Sequence, residues 1–527
     1  MNAETLGDFT ATPRLLWIAS LAIMIGAIAA FVAKTLLALI ALFTNLFFFQ
    51  RWSFAAASPA DHTMGWFAVG VPVLGALIIG VMARYGSERI RGHGIPEAIE
   101  AILINGSRVQ PKVALLKPLS SAISIGSGGP FGAEGPIIMT GGAVGSVIAQ
   151  FFHLSSVERK TLLVAGAAAG MSATFAAPVA SVLLAVELLL FEWKPRSFVP
   201  VALASAAALV ARRYLLGLGP MFPVAPHPAF VGPAGIAGCA VAGLLAGALS
   251  ALLTSAVYAA EDGFAHLPIH WMWWPAIGGL AIGVGGVLFP QALGVGFDTI
   301  AELLRGDTAG RLIVGMLVVK AVIWSVSLGS GTSGGVLAPL LLMGGALGAA
   351  ESAVLPNLGP GFWPLVSMGA ILGGTMRSPF TGVVFLLELT HDVNMLLPLL
   401  VAVTIAHTLT VLVLRRSILT EKLARRGYHL SREYAIDPLE ILFARDVMRT
   451  TPSSHVLPKT AAVVYPDEPL RIVVHRMART GRTRLPVVDR SDTRRLIGSI
   501  SLAELLKARS LDLDAEHRRE KTLSVFS

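Results

Sequence analysis

The sequence predicts an all-α polytopic membrane protein with an internal repeat, broken and re-entrant helices, and a small α/β module at its C-terminal end. Three observations predict it. Of 527 residues, 54% are hydrophobic and only 14% charged, where soluble domains carry about 25% charged residues. The chain also holds 54 Gly and 31 Pro, which at membrane depth fit interrupted helices enclosed by protein or a water cavity. Finally, the chain repeats itself at about 200 residues. Gly126-Ser127-Gly128 precedes Pro136 as Gly329-Ser330-Gly331 precedes Pro339. Gly-Gly-Ala-x-Gly recurs at Gly141 to Gly145 and Gly344 to Gly348, and Pro178 stands before Glu187 as Pro379 stands before Glu388.

Taken in order, apolar runs occupy about 15–49, 65–83, 137–152, 161–191, 198–218, 230–260, 271–290, 311–328, 336–355, 365–390 and 395–414. About 20 apolar residues span a bilayer. Several runs are shorter and some too long for one span, so short, tilted and re-entrant pieces are expected. The domain reading is a membrane body over 1–416, with repeats at about 14–218 and 230–416, a linker with an amphipathic helix over 417–445, and a module with its tail over 446–527. In the module Pro469 to Ala478 reads as helix, Leu485 to Asp489 and Leu496 to Ser501 as strands, Leu502 to Arg509 as helix, and the last residues as a loose tail. Residues 1–13 lack the basic start and cleavage site of a signal peptide.

The chemistry concentrates in loops. In Gly126-Ser127-Gly128-Gly129-Pro130-Phe131-Gly132-Ala133-Glu134-Gly135-Pro136 the glycines leave backbone N–H groups free to face a ligand. Pro136 suits a first helical position. A helix start there offers free N–H groups and a positive dipole end, which makes an anion site. Glu134 stands two residues before it. It either gates the path as a tethered anion, vacating the site on protonation or a swing, or it only caps a helix. The repeat supplies a second such start at Gly334-Gly335-Val336-Leu337-Ala338-Pro339, and paired helix starts can converge on one anion. Gly92-His93-Gly94-Ile95-Pro96 is a third, with His93 either a donor to the anion or an ordinary polar contact. The arginines at 84, 89 and 91 favour a cytoplasmic side for this loop.

Other functions are set aside on the same grounds. The single cysteine, Cys239, excludes an intrachain disulfide and reads as apolar filler; no metal and no cofactor is expected. Gly329-x-Gly331-x-x-Gly334 and Gly331-Thr332-Ser333-Gly334-Gly335 match a dinucleotide fingerprint and a nucleophile elbow, but both lie between membrane-length runs, without the strand–turn–helix context those motifs need. No enzyme is expected. The net charge of +9 is crowded into flanks and tail, so no nucleic-acid partner is expected either.

Together the motifs resemble the CLC family of chloride channels and proton-coupled chloride exchangers over about 80–415, and the C-terminal module resembles a CBS motif. Gly-His-Gly-Ile-Pro-Glu from Gly92, Gly-Ala-Glu-Gly-Pro from Gly132 and Gly-Val-Leu-Ala-Pro from Gly335 resemble the family's three anion-site motifs, in family order. The resemblance implies two oppositely oriented repeats and a homodimer with one anion path per subunit. It makes Glu134 the gating glutamate, with the anion held at the starts near Gly94, Ala133-Gly135 and Val336-Leu337. His93 falls where the family has a serine, Leu419 where many members have a tyrosine closing the inner side, and Leu188 where exchangers carry a proton-relaying glutamate. Glu187, one residue away, then reads as a structural carboxylate paired with a basic group and mirrored by Glu388. Gly498 to Glu504 resembles the CBS nucleotide pattern, which would place adenine nucleotide at Ser501 and Glu504.

The expected function is passive transport of chloride and related monovalent anions through a glutamate-gated path in each subunit of a dimer. The alternatives are a proton-coupled chloride antiporter and a nucleotide-sensing membrane protein with vestigial transport. The expected setting is the lipid bilayer of a bacterial inner membrane, multi-pass, with a cytoplasmic C-terminus.

Overall fold

The computed structural model describes residues 12–217, 219–306, 309–428, 439, 442–453, 462–491 and 495–517. Contacts divide the chain into a unit over 11–431 and a smaller C-terminal unit.

The larger unit is helical throughout. Its first half holds α1 (Arg14–Phe49), α2 (Gly70–Tyr85), α3 (Ile95–Leu103), α4 (Pro111–Gly126), α5 (Glu134–Gln150), α6 (Ser156–Phe175), α7 (Pro178–Ala185, continued by a wide turn to Leu190) and α8 (Pro195–Leu215). Its second half holds α9 (Pro233–Ala265), α10 (Trp274–Leu288), α11 (Phe297–Arg305), α12 (Gly310–Val314), α13 (Ala321–Gly329), α14 (Leu337–Glu351), α15 (Phe362–Met376), α16 (Pro379–Thr390) and α17 (Leu396–Val413), followed by α18 (Ile418–Arg425). Among the described residues, seven helical segments are long and apolar enough to cross a membrane. The repeat is visible element by element: α4 to α8 correspond to α13 to α17 in order, spacing and the glycine loop that follows the first of each series.

Of the overlong runs, 15–49 and 230–260 form the single long helices α1 and α9, whereas 161–191 and 365–390 each break into two helices. The break falls at a left-handed residue, Ala176 (φ 56°) or Arg377 (φ 55°), closely followed by Pro178 or Pro379. Proline fixes the φ of a new first turn and cannot donate back into the old helix. The short pieces pack through small residues: a Cβ on Gly141 or Gly166 would collide with the other's carbonyl, which is how α5 and α6 come close enough to pack without a hydrophobic drive between them.

Glu187 and Glu388 lock the halves together crosswise. Glu388 accepts from the amides of Val179 (2.9 Å) and Ala180 (2.8 Å) at the start of α7. Glu187 accepts from the amides of Phe380 (3.2 Å) and Thr381 (2.9 Å) and from the Thr381 hydroxyl at the start of α16. Each carboxylate thus satisfies N–H groups a helix start leaves free. The two carboxylates mirror each other across the repeat, each taking donors from the helix start of the other half.

The C-terminal unit contains α19 (Ala444–Val447), β1 (Arg449–Ser453), α20 (Leu470–Thr480), β2 (Arg484–Val488), β3 (Leu496–Ser501) and α21 (Leu502–His517). Its antiparallel sheet has the order β1-β3-β2, over a core that includes Leu470, Val473, Leu485, Val487, Ile500 and Leu505. Strand β1 is an addition to the sequence reading: Arg-Thr-Thr-Pro-Ser carries no apolar alternation to announce it. Helix α21 runs past the expected end at Arg509, and the tail beyond 517 lies outside the described residues.

Candidate functional site

Three glycine loops bring three helix starts to one place. Gly132 and Gly335 exchange backbone hydrogen bonds, N to O at 3.2 and 2.8 Å, so the α4–α5 and α13–α14 loops pair as a minimal antiparallel bridge. Gly135 lies against the third loop: a Cβ there would collide with the His93 carbonyl and stand 3.3 Å from the Cα of Gly335. Gly94, at φ +91°, faces the Gly135 carbonyl, where a Cβ would approach to 2.7 Å. Only glycine permits this approach and, at Gly94, this φ. The starts of α3, α5 and α14 therefore meet, with Gly94, Ala133 and Val336 as their N-cap residues. Among the described residues, the N–H groups of Gly135, Val336 and Leu337 donate to no backbone acceptor, as first-turn donors of a helix are free to do.

Glu134 sits in this convergence with none of its surface exposed. The helix begins at Glu134 itself, and Pro136 is its third residue; α14 likewise begins at Leu337, two residues before Pro339. This corrects the expectation that Pro136 opens the helix. A proline's missing N–H costs nothing anywhere in the first turn, because those donors are free in any case. The carboxylate lies against Gly132 and Gly335; a Cβ on Gly335 would come 2.7 Å from Oε2. Neither oxygen has a hydrogen-bond partner. The amides of Glu134 itself and of Ala338, in the opposite repeat, face it without reaching hydrogen-bond geometry. A capping carboxylate would be bonded to its helix start. This one is held between two starts and bonded to neither.

His93 is buried and its Nδ1 has no partner. Its loop is braced from below. Glu97 accepts from the amide of Gly94 (3.0 Å) and lies 3.4 Å from Lys422 Nζ and 3.3 Å from an Arg426 nitrogen, both on or beside α18. Lys117, fully buried on α4, donates to the carbonyls of Ile90 (2.9 Å) and Gly92 (2.7 Å) and to Ser333 Oγ (3.1 Å), tying the His93 loop to the α13–α14 loop. Lys320 repeats the device, donating to Ala292 and Gly294 at 2.9 and 2.8 Å. Sequence reasoning missed both lysines. Their signal was present: Lys117 and Lys320 each stand nine residues before the first glycine of their loop, Gly126 and Gly329.

Leu419 is buried in the first turn of α18. The Tyr258 hydroxyl donates to the carbonyl of the preceding Ile418 at 2.5 Å, so a tyrosine from α9 anchors the backbone here, although the position itself is apolar. Leu188 is fully buried beside Glu187, whose carboxylate is committed to α16. In the C-terminal unit Ser501 and Glu504 form a helix cap: Glu504 Oε2 accepts from the Ser501 amide (2.7 Å) and hydroxyl, and Oε1 lies 2.6 Å from Arg449. Ser501 and the Arg449 pair pull this carboxyl below the usual carboxylate range.

Comparison with known proteins follows this geometry. Residues 74–411 match the family described as voltage gated chloride channel, and residues 444–511 match the CBS domain. A chloride channel protein ClcB-like from Ralstonia nicotianae is 29% identical, covering 64% of this chain and 81% of its own. The H(+)/Cl(-) exchange transporter ClcA of Salmonella paratyphi B is 30% identical, covering 66% and 76%. Among solved structures, a slow cyanobacterial Cl-/H+ antiporter superposes with a TM-score of 0.68 at 20% identity, covering 79% of this chain and 99% of its own. A eukaryotic CLC transporter superposes with a TM-score of 0.63 at 19% identity, covering 93% and 98%. The chain is a multi-pass membrane protein that belongs to the voltage gated chloride channel (CLC) family and carries a C-terminal CBS domain.

Proposed function

We propose that the protein exchanges chloride or a similar monovalent anion for protons, with Glu134 as the group both pass. One observation carries this reading: a fully buried carboxylate without a hydrogen-bond partner, held where three helix starts converge. As a carboxylate it competes with the mobile anion for the free amides of Gly135, Val336 and Leu337. Protonated, it loses its attraction to the helix starts and gives way. Relatives named as H(+)/Cl(-) exchangers support exchange over the passive channel that the sequence alone put first. The channel remains the second reading, favoured by Leu188, which cannot relay a proton. Proteoliposomes under a chloride gradient, clamped at zero voltage, test the two: exchange drives protons uphill, a channel does not.

The family supports a homodimer with one path per subunit. The arginines flanking α3 support a cytoplasmic setting for that side and for the C-terminus, in an inner membrane if the source is bacterial. At the CBS domain we favour a structural role over adenine-nucleotide binding, because both oxygens of Glu504 are already engaged by Ser501 and Arg449.

A further inference from the structure

A cavity of about 480 Å³ opens beneath the site on the arginine-bearing side. Met139 and Gly331 reach its wall. Met139 packs against Gly94, where its Cβ would lie 3.3 Å from an added Cβ, and Gly331 belongs to the α13–α14 loop, so the cavity borders two of the three loops that form the anion site.

Its walls carry five cations and four carboxylates, and their pairing decides what they do. Lys422 and Arg426 are committed to Glu97 and Glu100, and Arg425 to Asp262 and Glu421. Arg89 and Arg91 remain. Among the described residues neither has a carboxylate oxygen within ion-pair distance, although Glu88 and Glu261 share the cavity. Arg91 is held by another means. Its guanidinium carbon stands 4.5 Å from the ring centre of Trp271 and 5.8 Å from that of Trp274. Cation–π contact fixes the position of a guanidinium without consuming its N–H donors. Its Nε is buried with no partner, and an added Cβ on Gly331 would lie 2.8 Å from a terminal nitrogen and 3.0 Å from Nε. These two nitrogens therefore lie against the α13–α14 loop at Gly331, at the edge of the cavity. Indole rings that hold a cation in place, and leave its donors unused beside a cavity, make a built site for an anion.

We propose that Arg91, steadied by Trp271 and Trp274, is a capture station for a monovalent anion such as chloride at the arginine-lined mouth, ahead of the Glu134 site. It rests on the transport reading above. It adds a second binding position for the same anion, one that sets how much anion must be present on that side to load the path. Glu88 and Glu261 set the affinity low, since they hold the local charge near balance, and a station on a transport path must also release its anion.

The test uses the chain's own cysteine content. Cys239 is the chain's single cysteine and is buried, so R91C offers one accessible thiol. Full-length protein in liposomes is assayed for chloride flux against chloride on the arginine-lined side. R91C raises the half-saturating chloride about five-fold, the scale expected for removing one charge a few ångströms away in a partly screened cavity, with the maximal rate retained. A membrane-impermeant methanethiosulfonate bearing a quaternary ammonium returns it toward wild type; one bearing a sulfonate raises it further. R91K and R91Q form the companion pair, R91Q behaving as unmodified R91C and R91K falling between it and wild type, and they decide the matter should R91C not fold. Unchanged half-saturation in R91C and R91Q overturns the station, as does an equal effect of both reagents, which would report packing. Absence of chloride flux from the wild-type protein overturns the transport reading itself and is distinguishable from both.

Discussion

Replacing Glu388 with alanine removes two hydrogen bonds from a charged acceptor to the free amides of Val179 and Ala180, at 2.9 and 2.8 Å. Each such bond contributes about 1.5–3 kcal/mol, and a carboxylate at a helix start adds about 0.3–1 kcal/mol. These terms overlap, so E388A costs about 3–5 kcal/mol. E388Q keeps an acceptor of the same shape and loses the charge, for about 1–2 kcal/mol on the same scale. Glu187 anchors α16, which carries Glu388, and Glu388 anchors α7, which leads into Glu187. The two are therefore not independent, and E187A with E388A falls short of the sum by about 1 kcal/mol. Thermal unfolding of purified protein in detergent reads this as a fall in Tm of about 5 °C for E388A, given the smaller shift per kcal/mol in a unit of this size. The reasoning also fixes function: E187Q keeps the wild-type ratio of protons to chloride, because the carboxylate serves α16 and not a proton path. A fully stable E388A, or an E187Q that carries chloride but no protons, would refute it.

Further expectations follow from the same contacts. G335A puts a Cβ 2.5 Å from the Gly132 carbonyl and 2.7 Å from the Glu134 carboxylate, so it lowers chloride flux more than about ten-fold on steric grounds, whereas G310A, with open space around it, leaves flux unchanged. K320M leaves the Ala292 and Gly294 carbonyls without their donor and destabilises by about 2–4 kcal/mol with little change in anion affinity; K117M costs a similar amount and weakens the anion as well, because Lys117 also holds Ser333. The Glu504 carboxyl is held below its ordinary value, so its contribution to the CBS domain is complete above the unfolded value of about 4.3 and is lost as pH falls through the folded one. E504Q removes that acid dependence and costs about 1 kcal/mol at neutral pH as a weakened cap, read by unfolding at stepped pH; an acid profile equal to the wild type's contradicts the assignment.

The glycine loops, the repeat and Glu134 were legible because backbone exposure demands glycine, helix starts tolerate proline, and both demands are written twice at one spacing. The start of α5 at Glu134 was less legible, since proline is tolerated throughout a first turn and marks it only to within two residues. The partners of Glu187 and Glu388 lie about 200 residues away, in the other repeat, and no local pattern points to them. Lys117 stands outside the apolar runs and Lys320 interrupts one; the meaning of both lies in carbonyls that the fold brings to them. Arg91 read as one more topological charge, because its cage comes from Trp271 and Trp274, more than 150 residues further on. Strand β1 was hidden by a sequence without alternation, whose pairing partner β3 supplies the register.

The central claim is that one carboxylate, Glu134, is shared by anion and proton. The direct measurement is internal pH in proteoliposomes under a chloride gradient, with potassium and valinomycin holding the voltage at zero, for wild type and E134Q. The account predicts uphill proton movement in the wild type, abolished in E134Q while downhill chloride flux continues. Chloride flux without proton movement in the wild type, or proton movement that survives in E134Q, would contradict it.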